Sequence, residues 1–253
     1  MAAKLVSHFD SSSETYRSVF DVFLRHTDQK IKARAWLERL VDTLPGRKVF
    51  IDAGAGEGST TAWIAQLFGR TIAVEPNGYL CELLAKSCPD AQILPARILA
   101  AAPAAPADFV LCSHVFYYLE DAEWVANLDR LASWLAPGGV LVLVMQNPRS
   151  DCMRMLRHFF TRRASLGDLL TQIEKRALSG FEAHLETVRC YVYAPDFQTA
   201  YTIAEFMVST LPGEKALERT QLESYVRQRF VRPGGNFRFS CNQDFLVIRR
   251  MQH

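Results

Sequence analysis

The sequence predicts an α/β fold, a mostly parallel sheet with helices on both faces. Two observations carry this reading. Short runs between residues 48 and 144 are apolar throughout rather than in alternation, as strands buried on both faces must be. Segments with helical spacing separate them. The resulting βαβ order suits parallel strands, whose connections have to cross over.

Taken in order, Lys48–Asp52 is a first strand that ends at a glycine-rich turn. Ser59–Phe68 follows as a helix with Trp63, Ile64 and Leu67 on one side. Thr71–Glu75 is a second strand, Tyr79–Lys86 a helix stopped by Pro89, and Gln92–Leu94 a weaker third strand. Ala100–Pro106 is a connection. Asp108–Cys112 is a fourth strand, Ala122–Leu135 a helix ended by Pro137-Gly138-Gly139, and Val140–Val144 a fifth strand. Beyond residue 150 the pattern is mainly helical, at about 152–163, 167–179, 197–210 and 215–231. A strand is expected near Leu185–Tyr193 and a last one at Asp244–Ile248.

Composition bounds the function. Lys plus Arg number 29 and Asp plus Glu 27, a net charge of +2. That balance disfavours a protein built to neutralise a long phosphate backbone. Lys4, His8 and Asp10 break the first apolar stretch, so neither a signal peptide nor a membrane span is expected. The six cysteines are scattered without a CxxC pair. They read as reduced thiols of a cytoplasmic protein, and no metal site is expected.

The turn Asp52-Ala53-Gly54-Ala55-Gly56-Glu57-Gly58 joins a strand to a helix. Its glycines admit a ligand where a Cβ would clash, and Glu75 at the end of the next strand can accept both hydroxyls of a ribose. Two cofactor classes suit that layout. A dinucleotide fingerprint would place glycine where Ser59 stands. The spacing Asp-x-Gly-x-Gly-x-Gly with a following acid instead resembles motif I of the class I S-adenosylmethionine-dependent methyltransferases. That resemblance implies a Rossmann-like fold with a seven-stranded sheet, and Asp52 facing the amino-acid part of the cofactor. Gly54, Ala55, Gly56 and Gly58 would form its cradle, with Glu75 and Pro76 at the ribose. Adenine would be held by backbone and apolar contacts, Ile98 among them, or by Arg97. Ser113 would line the methionine end.

Three further segments narrow the resemblance: Phe9–Tyr16 with Phe23–Asp28, Ser113–Asp121, and Cys241–Ile248. With Ala204–Leu211 they resemble histamine N-methyltransferase and its relatives. The resemblance implies one methyltransferase domain over 1–253. Residues 1–45 would form an N-terminal helical lid and substrate segment, and 46–146 the cofactor-binding core. Residues 147–253 would complete the sheet and carry a small helical substrate-binding insertion. Asp28 matches a carboxylate that pairs with the acceptor's ammonium. Phe9, Tyr16, Tyr117 and Tyr118 fall where aromatic residues wall the acceptor pocket. The chain departs at two places. His114 stands where the family has Gln, and Cys241, followed by Asn242, where it has Asn. His114 is the candidate proton acceptor, because an imidazole can donate, accept or carry a proton; its plainer reading is a strand cap. Arg157, Arg162 and Arg163 around Phe159-Phe160 read as a solvated helix face or a carboxylate-binding patch.

The expected activity is therefore methyl transfer from S-adenosyl-L-methionine, leaving S-adenosyl-L-homocysteine, to a nitrogen of a small amine or imidazole-type acceptor. The alternatives are an O- or carboxyl-methyltransferase, an NAD(P) dehydrogenase, and a non-catalytic cofactor-binding protein. The expected partner is the small-molecule acceptor, with neither nucleic acid nor membrane, in a monomer or homodimer.

Overall fold

The computed structural model describes residues 4–7, 9, 13–160, 165–176, 180–209 and 217–252. Its central element is a seven-stranded sheet in the order β3-β2-β1-β4-β5-β9-β6. The strands are β1 (Val49–Ala53), β2 (Arg70–Val74), β3 (Gln92–Leu94), β4 (Ala107–Ser113), β5 (Leu135–Gln146), β6 (Phe181–Val188) and β9 (Gln243–Arg250). β1 runs parallel to β2 and β4, as do β2 to β3 and β4 to β5. The continuous apolar runs are explained by this placement, since β1, β4 and β5 lie in the interior of the sheet. Phe50 and Phe109 are register partners on adjacent strands and stack with centroids 5.5 Å apart. Helices α3 (Ser59–Ala65), α4 (Gly78–Ser87), α5 (Trp124–Ser133) and α7 (Leu166–Arg176) connect or follow these strands.

The described residues divide into two compact units. One draws on 37–145, 164–186 and 244–253, and holds most of the sheet. The other draws on 1–36, 146–163 and 187–243. It contains α1 (Glu14–His26), α6 (Asp151–Phe159), α8 (Phe197–Ser209), α9 (Arg219–Arg229) and the antiparallel pair β7 (Tyr191–Ala194) and β8 (Phe237–Ser240). α2 (Gln29–Asp42) passes from this second unit into the first. The core of the second unit is aromatic. Tyr16, Phe20 and Phe23 on α1 meet Phe206 on α8 at centroid distances of 5.3, 5.5 and 5.9 Å. Among the described residues, no helix is long and apolar enough to cross a membrane.

Three expectations need correction. Pro137-Gly138-Gly139 does not sit outside the fifth strand. Leu135 already pairs with Ala107, and the register then jumps so that Val140 faces Phe109. The Pro-Gly-Gly stretch is an excursion within β5, with Gly138 at φ +78°. The strand expected near Leu185–Tyr193 is two strands, β6 and β7, which belong to different sheets. β8 was not anticipated, because its four residues follow the loop containing Gly234 and Gly235 and show alternation too short to recognise.

Candidate active site

β1, β2 and β4 are parallel, so their carboxyl ends at Ala53, Val74 and Ser113 lie on one edge of the sheet. Open α/β sheets bind ligands along that edge. The glycine turn folds over it. The N–H groups of Gly54 and Ala55 both donate to the Val74 carbonyl, at 2.7 and 3.2 Å. Gly54 and Gly56 adopt left-handed φ values of +81° and +58°, and Gly58 caps α3. A Cβ on Gly54 would sit 2.2 Å from Cγ2 of Val115, whereas one on Gly56 would meet nothing within 4 Å. The turn thus has a packed side and an open side.

Two carboxylates flank it. Asp52 is 3% exposed and accepts a hydrogen bond from Thr61 Oγ1 at 2.7 Å. Burial pushes its carboxyl up to about 7; the Thr61 bond pulls the other way, and the nearby charge of Glu75 adds to the rise. Glu75 is also buried. Its Oε2 accepts from the Gly56 N–H and its Oε1 from the Asn77 N–H, both at 2.9 Å. Each oxygen keeps a second lone-pair direction. The backbone therefore aims this carboxylate without exhausting it. Two acids beside an open glycine turn fit a ligand with a positive charge and ribose hydroxyls, and repel a diphosphate. Thr61, Asn77 and Val115 were missed in the sequence. Only Asn77 had a readable signal, as an N-cap ahead of α4, where its side chain accepts from Tyr79 N and Leu80 N.

The remaining cofactor candidates divide. Ile98 is in the core of the sheet unit and Pro76 is exposed next to Glu75. Ser113 is half-buried at the end of β4. The Arg97 guanidinium lies at the surface, 3.1 Å from Glu123 Oε2, so that ion pair competes with any hold on adenine.

His114 follows β4 directly. Among the described residues it alone combines a side chain with positive φ, at +60°, a conformation that costs about 1–2 kcal/mol for an L-residue. Its N–H donates to Val144 O at 2.8 Å, and its ring stacks on Tyr117 at 5.9 Å. Burial lowers its pKa to about 4. The ring is therefore neutral at pH 7 and a weak base. His114→Gly should keep the fold and raise Tm by a few degrees through relief of the left-handed strain. A lower melting temperature would show that the ring's packing outweighs the backbone term. Tyr117 packs against the core, while Tyr118 is 70% exposed.

The other acceptor candidates belong to the second unit. Asp28 Oδ1 accepts from Tyr191 N at 2.7 Å, and Oδ2 lies 2.8 Å from Lys32 Nζ. Its carboxylate thus fastens the start of α2 to β7 and already holds an ammonium. Phe9 and Tyr16 pack into the aromatic core. Cys241 is fully buried rather than lining an open space. Its Sγ receives Gln29 Nε2 at 3.0 Å and donates to Gln146 Oε1 at 3.6 Å. Asn242 Oδ1 accepts from Cys190 N at 3.0 Å. Gln29, itself buried, was missed because nothing in the sequence distinguishes it from a surface helix residue. Arg162, Arg163 and the residues 10–12 and 210–211 of the resembling segments lie outside the described residues.

Comparison with known proteins places the chain in a family. A family model described as a methyltransferase domain matches residues 23–190. The chain belongs to that family and has the Rossmann-like fold of S-adenosylmethionine-dependent methyltransferases. A trans-aconitate 2-methyltransferase from Azoarcus sp. (strain BH72) is 29% identical over 139 residues, 53% of this chain and 53% of that protein. The chain thus matches about half the length of this curated relative. Among solved structures, YcgJ protein from Bacillus subtilis has a TM-score of 0.61 at 13% identity, covering 86% of this chain and 98% of that one. The N-methyltransferase NodS from Bradyrhizobium japonicum WM9, in complex with S-adenosyl-L-homocysteine, has a TM-score of 0.56 at 16% identity, covering 95% and 100%.

Proposed function

We propose that the protein transfers a methyl group from S-adenosyl-L-methionine to a small molecule whose acceptor atom carries a free lone pair at neutral pH. The observation that carries this is the open side of the glycine turn, flanked by Asp52 and Glu75. When bound, the cofactor supplies an electrophilic methyl on a positively charged sulfur. The chain's own work is to hold and align. Glu75, held by the N–H groups of Gly56 and Asn77, would receive ribose hydroxyls, and Asp52 would meet the cofactor's ammonium. The half-buried Tyr117 keeps an aromatic face beside His114, and such faces favour passing cationic charge by about 0.5–2 kcal/mol.

Acceptor chemistry follows from the weak basicity of His114. An alkylammonium has no lone pair until it loses a proton, and His114 resists taking one. Imidazole nitrogens and carboxylate oxygens need no such step. The resemblance to histamine N-methyltransferase supports the imidazole-type nitrogen, and the trans-aconitate relative supports the carboxylate. A cytoplasmic location and a monomer or homodimer belong to the same proposal; all six cysteines are free thiols, as a reducing compartment favours.

Mass spectrometry of a panel of imidazoles, di- and tricarboxylates and primary alkylamines, each incubated with cofactor at pH 7, tests this. An N-methylimidazole or a methyl ester is expected. Alkylamines methylated as fast as either would overturn it.

A further inference from the structure

Two adjoining open grooves on the second unit share His158, Tyr225 and Arg229, and lie outside the glycine-turn site. Their walls are α6 and α9. On α6, Arg154, Arg157 and His158 stand three and four residues apart, and so share one face. On α9 the groove-lining residues recur at helical spacing from Gln221 to Arg229, while Leu222 and Val226 point into the core. The larger cavity, about 460 Å³, is lined by Arg154, Arg157, Arg229 and Arg232. Its one lining carboxylate, Asp151, is engaged through Oδ2, which accepts from both N–H and Oγ–H of Ser240 at 2.9 Å. No described carboxylate forms an ion pair with any of the four guanidiniums.

Four guanidiniums with no ion-pair partner among the described residues, against one carboxylate, repel one another and give the concavity a positive local potential. Guanidinium forks match the paired oxygens of carboxylates and phosphates. The adjoining cavity, about 390 Å³, has a different character. Thr220, Gln221, Ser224 and Gln228 give it hydroxyls and amides. Between the two lie tilted rings in contact, with His158 5.0 Å and Phe159 5.5 Å from Tyr225. We propose that the groove binds a small molecule with two or more oxyanion charges at one end and a hydroxyl- or carbonyl-bearing remainder. Carboxylate and phosphate share this chemistry, and the test separates them.

Calorimetric titration of the full chain with citrate, with glycerol phosphate and with glycerol provides that test, beside a separate titration with S-adenosyl-L-homocysteine. At least one anion should saturate a single site, and glycerol should not. The tighter anion names the ligand's class. Arg154→Gln with Arg229→Gln should weaken that anion at least tenfold and leave S-adenosyl-L-homocysteine affinity within twofold. Should the double variant fail to fold, the exposed single variant Arg157→Gln should still weaken binding several-fold. Neither anion saturating, or a folded variant binding as tightly as the wild type, overturns the proposal. The homocysteine titration stands apart, so failure here leaves the methyl-transfer reading intact.

Discussion

Gly54→Val should destabilise the protein severely, while Gly56→Val should spare the fold and lose the cofactor. Both positions have left-handed φ, so either valine costs about 1–2 kcal/mol in backbone strain. The difference is space. Valine at position 54 starts with a Cβ 2.2 Å from Val115 Cγ2, and forcing that contact open adds about 1–3 kcal/mol. The sum is about 2–5 kcal/mol, a fall in Tm of roughly 10 °C for a chain of this size. Position 56 has nothing within 4 Å, so Tm should drop only about 5 °C. Its side chain instead fills the space assigned to the cofactor and moves the N–H that aims Glu75. Affinity for S-adenosyl-L-homocysteine should fall at least ~100-fold, about 2.7 kcal/mol. Thermal melts and calorimetric titration check the pair. A Gly56→Val protein that binds with wild-type affinity would place the ligand elsewhere.

The parts legible in the sequence are those governed by local pattern. Parallel strands such as β1 and β4 announce themselves because burial on both faces forces a continuous apolar run. The glycine turn was legible because left-handed backbone restricts the residue type. Contacts across long sequence separations were not. Thr61 reaches Asp52 across nine residues and Gln29 reaches Cys241 across 212, and no spacing rule connects them. Family resemblance gave Asp28 an acceptor's ammonium, yet Lys32, one helical turn along, supplies an ammonium from within the chain. The Pro-Gly-Gly stretch misled because it is a standard helix stop, and only pairing of Leu135 with Ala107 reveals that the strand has already begun.

Asp52→Asn should make the apo-protein more stable above neutrality and its cofactor binding weaker. The folded carboxyl titrates at about 7, against about 3.9 in the unfolded chain. Between those values the folded state holds more protons than the unfolded state, so stability falls as pH rises through the window. The loss totals about 4 kcal/mol and is complete above pH 7. Asparagine keeps an oxygen to accept from Thr61 Oγ1 and has no charge to bury. At pH 8 the variant should therefore melt roughly 10 °C higher than the wild type, and near pH 4 the two should converge. Affinity should move the other way. An ionised Asp52 is costly only until a cation arrives to pair with it, and the cofactor's ammonium is such a cation. S-adenosyl-L-homocysteine affinity should fall about 10–100-fold in the variant at pH 8, with the gap narrowing toward pH 5 as the wild-type carboxyl protonates. Melting curves that stay parallel across this range would remove the buried charge. Affinities that stay equal would remove its role in binding. The two results together would show whether the cost of burying a charge at Asp52 is offset when the donor binds.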